Sequence, residues 1–206
     1  DVGFPNFREV ILTPDKENAT YLAGTVLPVG DAHPDYPALL MGNYILGSSG
    51  LSSRLGDRVR QQEGLSYSVG SFVTASSLDE RSTLLVYAIA NPTNMPKAEA
   101  AIREELERLL NEGVTQAELD AARDGYLQNQ IVDRADDSEL ASILNKNVQA
   151  ARTMEYYADL EPRLRRLDTA DVLAALQRHF SLERLAHVVA GDFKEAGEAA
   201  AAPAGK

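Results

Sequence analysis

Hydrophobic positions follow two rhythms along the chain. In the first ninety residues the apolar runs are short and favour strands. Arg8–Leu12 and Thr20–Val26 read as strands, parted by the turn signal Pro14-Asp15-Lys16-Glu17-Asn18. Tyr67–Thr74 and Thr83–Ala90 read as a strand pair. In the second of these, Leu84, Val86 and Ala88 alternate with Leu85, Tyr87 and Ile89. Both faces are apolar, which predicts a central strand covered on both sides. Two helices are predicted between the strand pairs, after a loop over Pro28–Pro34. Tyr36–Leu46 carries Leu39, Leu40, Tyr44 and Leu46 and is closed by Gly47-Ser48-Ser49-Gly50. Ser53–Gln62 follows, with Leu55 and Val59 at i, i+4 and Gly64 at its C-terminal end.

Beyond residue 95 the period is helical. Pro96–Asn111 places Ile102, Leu106, Leu109 and Leu110 on one stripe ended by Gly113. Thr115-Gln116-Ala117-Glu118 is a capping box, with Val114 and Leu119 as flanking hydrophobic contacts. Helix is predicted on to Asp133 and again over Ser138–Ala150. Pro162 marks a turn region, Thr169–Phe180 is amphipathic through Val172, Leu173, Leu176 and Phe180, and Leu185–Ala190 is a last strand. Strands first, helices next and one returning strand predict an α+β fold: a mostly antiparallel sheet with helices packed on it. Residues 1–192 are expected to form one domain. Residues 193–206, rich in Ala, Gly and Glu, are expected to be a disordered tail.

Composition narrows the function. The 206 residues are 44 % hydrophobic and 25 % charged, enough for a core without staples. A net charge of −11 argues against nucleic acid and anionic membrane surfaces. It suits solubility and would also suit basic peptides. No apolar run approaches the ~18 residues of a membrane span. Cysteine is absent, so thiolate chemistry is excluded and the compartment stays open between periplasm and cytoplasm. Asp1-Val2-Gly3-Phe4 is not a signal peptide, and the chain reads as cut from something longer.

The candidate chemistry is sparse. His33, His179 and His187 are the only histidines, and none has a second within two helical turns. Spacing therefore assigns them structural roles and gives the chain no metal ligand set. No G-x-S-x-G elbow occurs. Gly47-Ser48-Ser49-Gly50 lacks the Gly-Lys-Ser/Thr ending of a phosphate loop and reads better as a helix end. Arg60 and Tyr67 stand seven residues apart, across a helix, a turn and a strand. A guanidinium fork and a phenol can both donate to a peptide carbonyl. On spacing alone the plainer reading is favoured: Arg60 as a solvated helix charge and Tyr67 as a core aromatic at a strand start.

The run Gly50-Leu51-Ser52-Ser53-Arg54-Leu55 followed by Arg58-Val59-Arg60-Gln61-Gln62-Glu63-Gly64-Leu65-Ser66-Tyr67-Ser68-Val69 changes that balance. It resembles the arginine–tyrosine segment of the pitrilysin and insulinase-like zinc peptidases, which include mitochondrial processing peptidase. Asp35-Tyr36-Pro37-Ala38-Leu39, Gly113–Leu119 and Val188–Phe193 support the match, which covers most of residues 8–192. In that family two homologous halves close like a clam shell around a peptide chamber. One half carries H-x-x-E-H and a distal Glu. The other has lost them and contributes the Arg/Tyr pair. The resemblance implies the C-terminal, zinc-free half of a bacterial zinc protease, without activity alone. Arg60 and Tyr67 would bind an extended peptide, and zinc would be held by the partner half. The helix Tyr36–Leu46 would be the counterpart of the zinc helix, and the short glycine loop after it would lie near substrate. The competing expectation is a structural or assembly subunit, since relatives also serve as scaffolds. An independent hydrolase with an unrecognised site is the third.

Overall fold

The computed structural model describes residues 6–193. Its sheet has five strands: β1 (Arg8–Leu12), β2 (Ala19–Leu27), β3 (Ser68–Ala75), β4 (Ser82–Ala90) and β5 (Ala186–Gly191), in spatial order β1-β5-β2-β4-β3. β1 pairs with β5 in parallel, and the other three pairings are antiparallel. The returning strand predicted near residue 188 is thus inserted between the first two. Six α-helices are present among the described residues: α1 (Tyr36–Asn43), α2 (Met95–Glu112), α3 (Gln116–Ala135), α4 (Asp137–Gln149), α5 (Glu155–Arg166) and α6 (Thr169–His179). The fold is α+β, with a mostly antiparallel sheet under helices, as the pattern predicts. No helix among the described residues is long and apolar enough to cross a membrane.

The core lies between one sheet face and the helices. Tyr21, Ala23, Leu84, Val86 and Ala88 supply the sheet side, and Met95, Ile102, Leu106, Leu109 and Leu176 the helix side, all buried. β4 is interior, between β2 and β3, but the described residues do not cover it on both sides. Leu85, Tyr87 and Ile89 are only half-buried. Leu22 and Phe72, which share their face through the pairings Leu22↔Tyr87 and Phe72↔Leu85, are exposed. Phe72 and Tyr87 stack with ring centroids 5.3 Å apart. Two apolar faces on a strand therefore mark apolar surface here, with no second layer among the described residues.

One further expectation is corrected. Pro162 does not mark a turn; it lies inside α5. Its missing N–H and its ring disfavour a helix interior. Pro162 is exposed, however, while Leu160 and Leu164 bury the opposite stripe, so burial overrides propensity. The helix begun at Tyr36 ends within the Gly47–Gly50 run as predicted: its last turn is π-wound over Tyr44–Ser48, and Gly50, with φ +67°, makes the left-handed exit. The second predicted helix is wound largely as π over Gly56–Gln62. The capping box Thr115/Glu118 is present as predicted, and Asp168/Asp171 form another at the start of α6. Phe193, at the head of the predicted tail, is buried against Gly191, and the rest of that tail lies outside the described residues.

Gly47 is needed for proximity. A Cβ on it would sit 2.4 Å from Ser71 N and 2.5 Å from Ser71 Oγ, because the helix lies directly on β3. Gly47→Ala is expected to cost about 1–3 kcal/mol, since backbone must shift. Gly50→Ala meets open space and pays only for its positive φ, roughly 1 kcal/mol. Urea unfolding of both variants checks this, and equal losses would contradict the close-approach account.

Candidate functional site

The segment that carries Arg60 is anchored on three sides. Leu55 and Val59 are fully buried and hold its inner face. Ser53 Oγ donates to Gly50 O at 2.6 Å and accepts Gly56 N–H at 3.0 Å, so the entry turn closes on itself. Gly56 has no room for a Cβ, which would fall 2.2 Å from Gly50 O. At the exit, Glu63 N–H and Leu65 N–H donate to Arg58 O and Val59 O, and Gly64 turns the chain at φ +60°.

Arginines on the same segment make a charge network with α2 and α3. Arg54 is buried; its Nε and Nη2 form a fork on the Glu118 carboxylate at 2.7 and 2.9 Å. Nη2 also donates to Gly113 O. Glu118 thus serves two elements, since its side chain also accepts Thr115 N–H in the capping box. Arg58 reaches Glu63 and Glu105 at 3.0 and 3.2 Å, and also pairs with Glu104. Hydrogen bonds donated to Glu104 and Glu63 hold the Arg58 guanidinium pKa well above its ordinary range. Glu105 is only 3 % exposed. A polar cavity of about 360 Å³ lies alongside, lined by Ser53, Arg54, Asp57, Arg58, Gln61 and Glu105 among others.

Arg60 itself is exposed, and no hydrogen bond or ion pair with a described residue engages it. Tyr67 is 62 % exposed at the entry to β3. Its backbone is fixed, because Tyr67 N–H donates to Ile89 O at 2.8 Å. The two side chains flank the Gly64 turn on elements that pack together. The structure therefore makes both available on a rigid backbone. A larger cavity of about 420 Å³ lies elsewhere, between the β1–β5 end of the sheet and α2. Arg8, Tyr21, Glu99 and His187 line it, and Tyr21 Oη lies 2.9 Å from His187 Nδ1. Burial lowers the His187 pKa and raises that of Tyr21.

His33 and His179 are not isolated, although spacing separates them. His179 Nε2 lies 2.7 Å from Asp35 Oδ2, and the two imidazoles meet edge-on at 5.2 Å. Neither this cluster nor the Arg54–Glu118 pair has a local sequence signal. Glu118 stands out as a capping residue, but its partner lies 64 positions away.

With this geometry in hand, the comparisons identify the family. The model of the peptidase M16 inactive domain matches residues 2–126, and the chain belongs to that family. It is 32 % identical over 123 residues to YmxG of Bacillus subtilis, described as an uncharacterized zinc protease; the match covers 58 % of this chain and 29 % of that protein. It is 29 % identical over 144 residues to the zinc protease Mb2805c of Mycobacterium bovis, covering 69 % of this chain and 32 % of the relative. The chain thus spans about a third of the curated relatives it matches. A peptidase M16 inactive domain from Pseudomonas fluorescens superposes with TM-score 0.78 at 23 % identity, over 91 % of this chain and 44 % of that one. A Helicobacter pylori protease gives 0.80 at 20 %, over 92 % and 45 %.

Zinc is named for these relatives. Catalytic zinc needs about three His, Cys or carboxylate ligands converging on one point. Tyr36–Asn43 reads Tyr-Pro-Ala-Leu-Leu-Met-Gly-Asn and offers none. Catalytic zinc does not fit α1.

The charge network has a pH signature. The Arg54 fork, with the Thr115 hydrogen bonds, outweighs burial and lowers the Glu118 pKa to about 2. A pKa depressed on folding stabilises above the unfolded value, ~4.3, and the effect is lost as pH falls toward the folded value. The stability gap between wild type and Glu118→Gln is expected to close between about pH 5 and pH 2. Glu118→Ala near neutrality should cost about 3 kcal/mol, because Arg54 is left buried with one carbonyl. Urea unfolding across that pH range checks both; a gap unchanged at the acid end would show that the charge is irrelevant.

Proposed function

We propose that this chain is the zinc-free half of an M16 zinc peptidase. It completes the peptide chamber and binds an extended substrate through Arg60 and Tyr67. The observation that carries the reading is the contrast within one short segment. Arg54 and Arg58 are consumed by carboxylates, whereas Arg60 and Tyr67 are presented to solvent from fixed backbone. The fixed backbone limits the ordering cost to the side chains themselves, which are free to turn onto a ligand and give up rotamer freedom only when they engage it.

Chemically, Arg60 contributes a charged fork and Tyr67 a hydroxyl donor. Aimed at the carbonyl of a bound peptide, they would orient the chain and offer hydrogen-bond donors to charge developing on its oxygen. The zinc supplies the Lewis acidity; this chain supplies orientation and charge. The open sheet face of Leu22, Phe72 and Tyr87 supports a role beside a second domain, since apolar surface of this kind is commonly covered in the assembled protein.

The test is peptide hydrolysis by the parent assembly, this chain with its zinc-bearing half. Arg60→Ala and Tyr67→Phe are each expected to lower kcat/KM about tenfold or more, or ~1.4 kcal/mol of transition-state stabilisation. Thermal unfolding of the variants should match wild type. Unchanged kinetics would remove the pair from the substrate site and leave the domain as a chamber wall or scaffold.

A further inference from the structure

We infer that His33, Asp35 and His179 form a binding site for one divalent transition-metal ion of the zinc class. His33 and Asp35 lie in the loop that enters α1, and His179 ends α6. One ligand atom from each residue can be chosen so that all lie within 4.8 Å of one another. Tetrahedral zinc with bonds of ~2.0–2.2 Å needs ligand atoms ~3.3–3.6 Å apart, so small side-chain rotations close the site. Two imidazoles and one carboxylate suit zinc, cobalt, nickel or copper better than magnesium or calcium, which prefer all-oxygen shells. The fourth position is left for water.

The groups already around the site decide whether an ion can enter. His179 Nε2 and Arg178 both engage Asp35 Oδ2, and these bonds outweigh burial to hold the Asp35 pKa below its ordinary value. Arg178 competes directly with a cation. Its side chain is 59 % exposed, however, and can swing into water. His33 Nδ1 accepts Asp35 N–H at 3.0 Å, so metal either takes over this lone pair or binds after the ring turns over. Asp35 N–H lies at the start of a helix, where water can replace the lost acceptor. Arg163 donates to His33 O at 2.7 Å and to Pro34 O, so it holds the loop through backbone and leaves the ring nitrogens alone. The ion would exchange hydrogen bonds that already join α6 to the α1 loop for stronger bonds along the same line. This inference does not depend on Arg60 or Tyr67.

The experiment uses the full 206-residue chain, stripped with chelator, desalted and titrated with Zn²⁺ by calorimetry and thermal unfolding. One equivalent should bind and raise Tm. His179→Gln, which can still hydrogen-bond Asp35, should weaken binding by about a hundredfold, as should His33→Ala. Arg178→Ala should tighten it. Co²⁺ in place of Zn²⁺ should give four-coordinate visible bands that His179→Gln abolishes. Absence of stoichiometric uptake at micromolar Zn²⁺, or uptake that survives both histidine substitutions, would overturn the site and leave a hydrogen-bonded cluster only.

Discussion

The architecture depends on one backbone-to-backbone contact. Gly47 lies against Gly70 and Ser71 so closely that neither glycine tolerates a side chain; a Cβ on Gly70 would fall 2.9 Å from Gly47 O. This contact sets the height of α1 and its π-wound extension above the edge strand β3. A π turn places one extra residue in the helix, which rotates the following side chains relative to a continuous α-helix. Tyr44, the first residue of that turn, reaches α3, where Asn129 donates to its hydroxyl at 3.1 Å and Gly125 leaves space for it. Sheet, α1 and α3 are thereby tied together, and the segment beyond Gly50 leaves from a fixed point.

Charge then determines how that segment lies. A chain with net charge −11 nevertheless buries arginine beside α2 and α3. Desolvation makes such pairs poor sources of stability, yet removing one member strands the other, so they define register more than they add binding strength. Arg54 Nη1 and Glu105 Oε2 are buried without a partner among the described residues. Unsatisfied atoms of opposite character beside a polar cavity are where bridging water is expected. The outcome is mechanical: one helix face is held by ions and by Leu55 and Val59, and Arg60 occupies the face left over.

Most of this organisation was legible in local sequence, and the failures share a cause. Strands β1 to β5, the amphipathic α2 and α6 and the Thr115 box follow from period and capping chemistry over a few residues. The Gly47–Gly50 run marks the helix end, but the close approach of Gly47 to β3 has no local signal, because glycine gives the same letter for positive φ and for close approach. Pro162 was read as a turn because propensity does not count the burial of Leu160 and Leu164. The open face of β4 was read as covered, since a sequence cannot say which chain does the covering. Arg60 and Tyr67 emerged only through resemblance; their spacing had two readings. Asp35 and His179, 144 positions apart, and Arg54 and Glu118, 64 apart, have no local signature, because topology alone brings them together.

The same packing explains why α1 is a poor host for catalytic zinc beyond its lack of ligands. Pro37, Ala38, Leu39, Met41, Gly42 and Asn43 are all buried, so the helix is enclosed on nearly every side. Even a methyl on Gly42 would meet the Leu176 side chain at 3.2 Å. Introducing two imidazoles and a carboxylate into that interior would require α6 to move and would bury charge without partners. Polar chemistry is therefore pushed to the two ends of the helix. At one end His33, Asp35 and His179 converge beside Arg178. At the other, the chain leaves through Gly50 toward Arg60 and Tyr67. A helix closed along its length and polar at its ends thus leaves its chemistry to the two loops that flank it.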